Sequence, residues 1–275
     1  MLRKTVALVL SAHPIPALAV TAIALILGLG IGLPPDRLVA LVVATALNQA
    51  SIGLSNDWID AERDRAASRA DKPVALSKIS ANAVRNAAFV CLLGAIAVSI
   101  ALGPPAMLVH AVAVGSAWAY NAGLKSTWVS PLPYIVSFGL LPGIAYLASE
   151  PPVLPPAGVV IAGGLLGLAA HFANVLPDIE DDLATGVRGL PHRLGRRASG
   201  LVIAGSLEAA SLILAFASGA PVTVVHVVVV AVVTFLAVAC VVVVFTRPRS
   251  ALSFRFIMVG ALLDVILLAA TPWLE

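Results

Sequence analysis

Nine apolar stretches, each about 20 residues long, leave few folds open to this chain. They lie at about 15–33, 36–55, 81–102, 105–122, 130–149, 156–176, 199–218, 222–245 and 252–273. Each is about as long as a helix needs to be to cross the hydrocarbon core of a bilayer. Only 11% of the 275 residues are charged, whereas soluble domains carry about a quarter, and the mean hydropathy is +1.02. A backbone in lipid must pair its own polar groups, so only helices or closed barrels span. Barrel strands alternate over about ten residues, and these runs do not alternate. The sequence therefore predicts an all-α, integral membrane bundle of nine transmembrane helices, read as a single domain over 1–275.

Before the first stretch, Arg3 and Lys4 precede a short apolar run, Thr5 to Ala12, that resembles the charged start of a signal peptide. The run is too short to span, and His13-Pro14-Ile15-Pro16 interrupts it without a small-residue cleavage site. It reads as an uncleaved amphipathic lead-in. Cys91 and Cys240 sit inside apolar runs without metal-ligand spacing, as buried, inert thiols do.

Lys and Arg gather on the cytoplasmic side of membrane proteins. With a cytoplasmic N-terminus, sixteen of the seventeen basic residues fall on that side and only Arg37 falls opposite. This bias agrees with an odd number of spans. It predicts a multi-pass protein of the cell membrane whose N-terminus and two acidic segments face the cytoplasm. These segments, 56–64 and 174–182, contain eight of the fourteen acidic residues: Asp57, Asp60, Glu62, Asp64, Asp178, Glu180, Asp181 and Asp182. They open polar connections of roughly 25 and 22 residues, longer than the two to eight usual between bundled helices.

Asn56, Asp60 and Asp64 recur every four residues, and so do Asn174, Asp178 and Asp182. Four residues advance a helix by about 400°, so each trio predicts a strip of oxygen ligands on one face. Carboxylates so close repel unless compensated. Hard divalent ions compensate them, and magnesium is commonly bound through one or two carboxylates plus substrate phosphate. Two facing strips could clamp a diphosphate through its metals while Arg and Lys close its remaining sides. The blander reading, that these acids cap helices or solvate loops, suits one cluster better than two of matching spacing. Calcium storage is disfavoured because no EF-hand loop is present.

Asn-Asp-x-x-Asp-x-x-x-Asp at 56–64 is followed by Arg69 and Lys72-Pro73, and Asp-x-x-x-Asp at 178–182 by a basic stretch ending Arg193-Leu194-Gly195. With Tyr120-Asn121-Ala122-Gly123-Leu124-Lys125, these motifs resemble the UbiA superfamily of intramembrane prenyltransferases over nearly the whole chain. Asn174 stands where many members carry Asp, Asp181 where Gly is common, and Ser77-Lys78 in place of a frequent Ser-Gly.

The resemblance implies a nine-helix bundle with a cytoplasm-facing central cavity. It also implies magnesium-dependent transfer of an isoprenyl group from a prenyl diphosphate to an aromatic or other lipophilic acceptor. Two or more magnesium ions are expected, with membrane lipid around the bundle and no nucleic acid among the partners. By position, Asn56, Asp60 and Asp64 would serve one metal and Asp178 and Asp182 the other. Asp57 joins them as a candidate catalytic residue. Lys125, Arg69 and Lys72 would hold the diphosphate, with Tyr120 and Asn174 also on substrate. Such chemistry suits an apolar bundle, because the allylic cation left by C–O cleavage must be kept from water.

Other polar residues inside the stretches carry weaker signals. Glu208 and Asp264 lie near mid-span, where ionisable groups are candidates for function. His110, His171 and His226 lack metal-ligand spacing and read as packed, hydrogen-bonded side chains. Asn48 and Gln49 would line the chamber or bond across helices. Trp118, Tyr120, Tyr134, Phe138 and Phe172 would face a prenyl cation or pack in the core. Two rival functions share these residues: a membrane terpene cyclase using the same acidic motifs, and a transporter or metal-binding protein without chemistry.

Overall fold

The computed structural model describes residues 2–67, 69, 72–247 and 250–271. The path begins with α1 (Leu2–Ser11), α2 (Pro14–Ile31), α3 (Pro35–Ile59) and the short α4 (Ala61–Ala66). Then follow α5 (Ala81–Ser99), α6 (Pro104–Ala122), α7 (Leu132–Leu147), α8 (Ala157–Val175) and the short α9 (Ile179–Ala184). It closes with α10 (Leu190–Phe216), α11 (Val224–Thr246) and α12 (Leu252–Ala270). Among the described residues there is no strand.

Each apolar stretch becomes one helix, and the breaks fall where the backbone dictates. Pro34-Pro35, Gly103-Pro104-Pro105 and Pro131 open α3, α6 and α7, since proline's fixed φ and missing N–H suit a first turn. Gly32 and Gly103, at φ 76° and 90°, end the preceding segments in the region that favours glycine. Among the described residues, seven helical segments are long and apolar enough to cross a membrane, where the sequence reading has nine. The two others are α6 and α7. Helix α7 has only 16 residues, and α6 carries His110, Ser116, Trp118, Tyr120 and Asn121, which dilute its apolarity. Arg249 and the end of the 252–273 stretch lie outside the described residues.

The helices form a ring. Contacts run α2 to α3, α3 to α6, α6 to α7, α7 to α8, α8 to α10, α10 to α11 and α11 to α12, and α12 returns to α2. Helix α5 packs on the outside of α3. Opposite the acidic segments, Arg37 of α3 pairs with Glu150 and donates to the Ala148 carbonyl at 2.7 Å, tying α3 to the end of α7. Exposed apolar side chains such as Leu93, Leu108, Val224 and Phe235 cover the outer wall, as a lipid-facing surface requires.

Candidate active site

Helix α3 runs past the apolar stretch to Ile59, so Asn56 and Asp57 are helical. Asp60 forms the joint to α4 at φ −85° and ψ 0°. Its N–H still donates to the Asn56 carbonyl at 3.0 Å, and the Asp64 N–H to the Asp60 carbonyl at 2.8 Å. The four-residue rhythm therefore survives the joint, and the expected strip forms. Asn56 Nδ2 donates to Asp60 Oδ2 at 2.9 Å, and Arg63 Nη2 reaches the same oxygen at 2.8 Å. Lys125 Nζ donates to Asp60 Oδ1.

Both partners of the Lys125–Asp60 pair are buried. Burial pulls the Lys125 ammonium below its ordinary pKa, while the Asp60 charge works against that shift. Asp64 is buried too, and its Oδ2 has no hydrogen-bond partner among the described residues. Burial raises its carboxyl above the usual range; Lys72 opposes this and Asp60 reinforces it.

Asp57 turns away from the strip. Only 1% of its side chain is exposed, and its Oδ1 takes Lys72 Nζ at 2.7 Å and His13 Nε2 at 3.0 Å. Lys72 Nζ also donates to Asn56 Oδ1 at 3.1 Å.

The second acidic segment departs from the expected strip. Helix α8 stops at Val175, and Leu176–Asp178 forms a 3-10 turn before α9. Pro177 has no N–H to continue the α ladder, so Asn174, Asp178 and Asp182 do not share one continuous helical face. Instead Asp178 pairs with Arg69 Nη1 at 3.0 Å, so a residue following the first motif reaches across to the second. Asp182 Oδ2 lies 3.2 Å from His192 Nε2. Among the described residues, no three His, Cys, Asp or Glu side chains form a ready-made metal cluster.

Behind these groups lies a cavity framed by the α1–α2 break and by α2, α3, α6, α7, α8 and α12. Its polar lining is neutral: Gln49, Asn56, Asn121, Ser137 and Asn174, with His13 at the break. Tyr120, Tyr134 and Phe138 form one wall. Tyr120 meets Tyr134 edge-on with centroids 5.1 Å apart, and Tyr134 stacks on Phe138 at 6.1 Å. Tyr120 also lies within electrostatic reach of Asp60 and Asp182, where the two acidic segments converge. Asn121 holds α6 on α3 by donating to the Ile52 carbonyl at 2.9 Å and Ser55 Oγ at 2.8 Å, which fixes the approach of Lys125.

Glu208 and Asp264 do not line the cavity. Glu208 accepts from Thr234 Oγ1 at 2.9 Å, and Asp264 is fully buried between α10 and α12. His110 bonds Ser99, and His226 bonds Thr223 and Thr271, as packed histidines do. His171 bonds Ser130 at 3.1 Å and backs the Tyr120–Tyr134 wall. Arg63, Asn121, His192 and His13 were not among the residues the motifs singled out for individual roles. Arg63 and Asn121 lie inside the quoted motifs, so only the others lack a signal.

The donor chemistry fits a hard divalent cation. The acidic segments offer carboxylate and amide oxygens, and the buried Asp64 Oδ2 has no hydrogen-bond partner among the described residues. The carboxylates of Asp57, Asp60, Asp178 and Asp182 are each met by a Lys, Arg or His side chain.

The chain is thus a helical membrane bundle whose two acidic segments converge at one end of an apolar, aromatic-walled cavity. Residues 17–263 match the UbiA prenyltransferase family, and the chain belongs to that family. No curated protein matches it. The fold is similar to that of a UbiA homologue from Archaeoglobus fulgidus bound to GPP and Mg2+, with a TM-score of 0.70 and 15% identity, over 96% of this chain and 100% of that one. An apo UbiA homologue from Aeropyrum pernix K1 gives a TM-score of 0.76 at 14% identity, over 90% and 94%. A digeranylgeranylglyceryl phosphate synthase gives 0.66 at 15%, over 97% and 98%. At these identities the likeness is one of fold.

Proposed function

We propose that the protein transfers an isoprenyl group from an allylic diphosphate to a lipophilic acceptor, with magnesium, within one domain spanning 1–275. The observation that carries this reading is the convergence of both acidic segments, linked by Arg69 and Asp178, at the mouth of the cavity walled by Tyr120, Tyr134 and Phe138. Relatives of the same fold bind GPP or DMAPP with Mg2+, which supports a prenyl diphosphate as donor.

Asn56, Asp60, Asp64, Asp178 and Asp182 would hold the metal. Magnesium, when bound, supplies positive charge against the charge that develops on the leaving diphosphate. Lys125, Arg69 and Lys72, which neutralise carboxylates in the chain as it stands, are within reach to take diphosphate oxygens. The apolar cavity would exclude water from the allylic cation, and the aromatic faces would attract it. The mouth would face the cytoplasm, as the distribution of basic residues predicts.

The test is release of diphosphate by purified protein supplied with allylic diphosphates of increasing length, with and without acceptors. Release is expected to require magnesium, to stop with chelator and to resume when the metal is returned. Full turnover in metal-free buffer overturns the reading. Cyclised products without acceptor would mark the terpene cyclase instead, and binding without turnover the transporter.

Lys125 gives a sharper test of the diphosphate site. Lys125→Ala is expected to weaken diphosphate binding, and Lys125→Arg to restore it only in part, because a planar fork replaces a compact point charge. Isothermal titration with both variants reads this directly. Unchanged affinity in a folded Lys125→Ala protein removes the residue from the site.

A further inference from the structure

His13 occupies the break between α1 and α2 in the left-handed region, at φ 51° and ψ 65°. Among the described residues, Ser77 is the one other non-glycine at positive φ. Such backbone is strained for a residue with a β-carbon and persists only where its surroundings impose it. Here the surroundings do. Ala12 lies so close to Gly53 of α3 that a β-carbon on Gly53 would come within 2.5 Å of the Ala12 carbonyl oxygen. The break is thereby pressed onto α3 one turn before Asn56.

The ring of His13 is engaged at one edge. Nε2 lies 3.0 Å from Asp57 Oδ1 and 3.1 Å from Lys72 Nζ. The Lys72 ammonium, which has no lone pair, donates to Asp57 at 2.7 Å and to Asn56 at 3.1 Å. Nε2 thus faces a carboxylate that only accepts and an ammonium that only donates. Lys72 already has two oxygen acceptors, so we assign the Nε2 proton to the closer, charged Asp57 oxygen, which leaves the lone pair on Nδ1. Nδ1 makes no hydrogen bond among the described residues, and His13 lines the cavity with 38% of its side chain exposed. A carboxylate orienting an imidazole whose other nitrogen is open to substrate is the arrangement of a general base. Among the described residues that line the cavity there is no Lys, Arg, Asp or Glu, so nothing there compensates a charged acceptor.

We propose that His13 takes the proton from an uncharged, hydroxyl-bearing lipophilic acceptor, with Asp57 as its positioning residue. The inference rests on the transferase reading. The allylic C–O bond breaks with its electron pair on the diphosphate. The acceptor's O–H proton passes to Nδ1, and the freed pair bonds the acceptor to the allylic carbon, at oxygen or at a conjugated ring carbon. In the second case the displaced ring proton returns to the oxygen. The imidazolium left on His13 shares the Asp57 carboxylate with Lys72. No oxidant or reductant is needed.

The experiment uses the full chain in vesicles with magnesium, an allylic diphosphate, and an alkyl-chain phenol as the neutral probe. His13→Asn removes the base while keeping a residue that tolerates left-handed backbone. His13→Gly keeps that backbone and leaves room for added imidazole. Three quantities are measured: diphosphate affinity, kcat and KM for the phenol, and recovery with imidazole. His13→Asn is expected to lower kcat by about 10²- to 10⁴-fold, the usual worth of a general base, while diphosphate still binds and KM for the phenol changes little. Imidazole is expected to restore alkylation by His13→Gly, and a phenol carrying a carboxylate to be the poorer acceptor. Wild-type kcat in His13→Asn, loss of diphosphate binding in both variants, or no recovery with imidazole overturns the base. Equal turnover of the carboxylated phenol overturns the neutral acceptor. A wild-type protein that releases no diphosphate with magnesium would instead overturn the transferase reading, and with it the base that rests on it.

Discussion

Asp60→Ala is expected to lower prenyl transfer by about 10²- to 10³-fold, the usual cost of removing one group that stabilises transition-state charge. Asp60 is the point on which Asn56, Arg63 and Lys125 meet, and it is 5% exposed. Its loss also leaves Lys125 buried without its carboxylate, and breaking a buried pair commonly costs about 3–5 kcal/mol. The variant should therefore unfold at lower denaturant as well as turn over slowly. Asp60→Asn retains shape and one acceptor oxygen for Lys125 while removing the charge, so it isolates the loss of charge from the loss of packing and hydrogen bonding. Near-normal turnover in a folded Asp60→Asn protein would return Asp60 to a structural role. Asp178→Ala provides the contrast. Its side chain is 37% exposed beside Arg69, and exposed pairs add little stability. Activity should fall there with the denaturation midpoint nearly unchanged.

The difference between these two acids could not be read from their matching spacing. The helices were legible, because apolar length and the Pro and Gly positions fix where a lipid-embedded backbone must begin and end. The first strip was legible because the joint at Asp60 keeps the four-residue backbone bonds from Asn56 to Asp60 and from Asp60 to Asp64. Pro177 does interrupt the second, and a spacing argument that counts residues without asking which have an N–H misses it. The basic stretch after Asp182 reads as loop, yet α10 already starts at Leu190, with Pro191 in its first turn and a kink at Gly195, φ 77°. Pairs distant in the chain were out of reach altogether. Arg69 meets Asp178, and His13 meets Asp57, through the way the helix ring closes, which no local period encodes. The α1–α2 break looked like punctuation in the sequence; its contact with Gly53 makes it part of the cavity wall.

Gly167→Ala is expected to damage the fold far more than its single added methyl suggests. A β-carbon there would lie 2.4 Å from the Tyr134 carbonyl oxygen and 2.8 Å from Phe138 Cβ, and one on Gly163 would lie 2.6 Å from the Phe138 carbonyl oxygen. Backbone atoms cannot move aside by changing rotamer, so α7 and α8 must separate. In lipid there is no hydrophobic force to hold them together, and close backbone packing between small residues is what joins such helices. Overpacking commonly costs about 1–3 kcal/mol, occasionally more. Separation would also carry Tyr134 and Phe138 off the cavity wall, so transfer should fall along with stability. Gly115 on α6 is the internal control: a β-carbon there meets nothing within 4 Å. Gly115→Ala should be neutral or stabilising by about 0.4–1 kcal/mol, since it removes freedom only from the unfolded chain. Denaturant titration of both variants in the same detergent compares them under one reference state. Equal midpoints would mean that α7 and α8 can absorb a methyl between their backbones, and that the cavity wall does not depend on glycine.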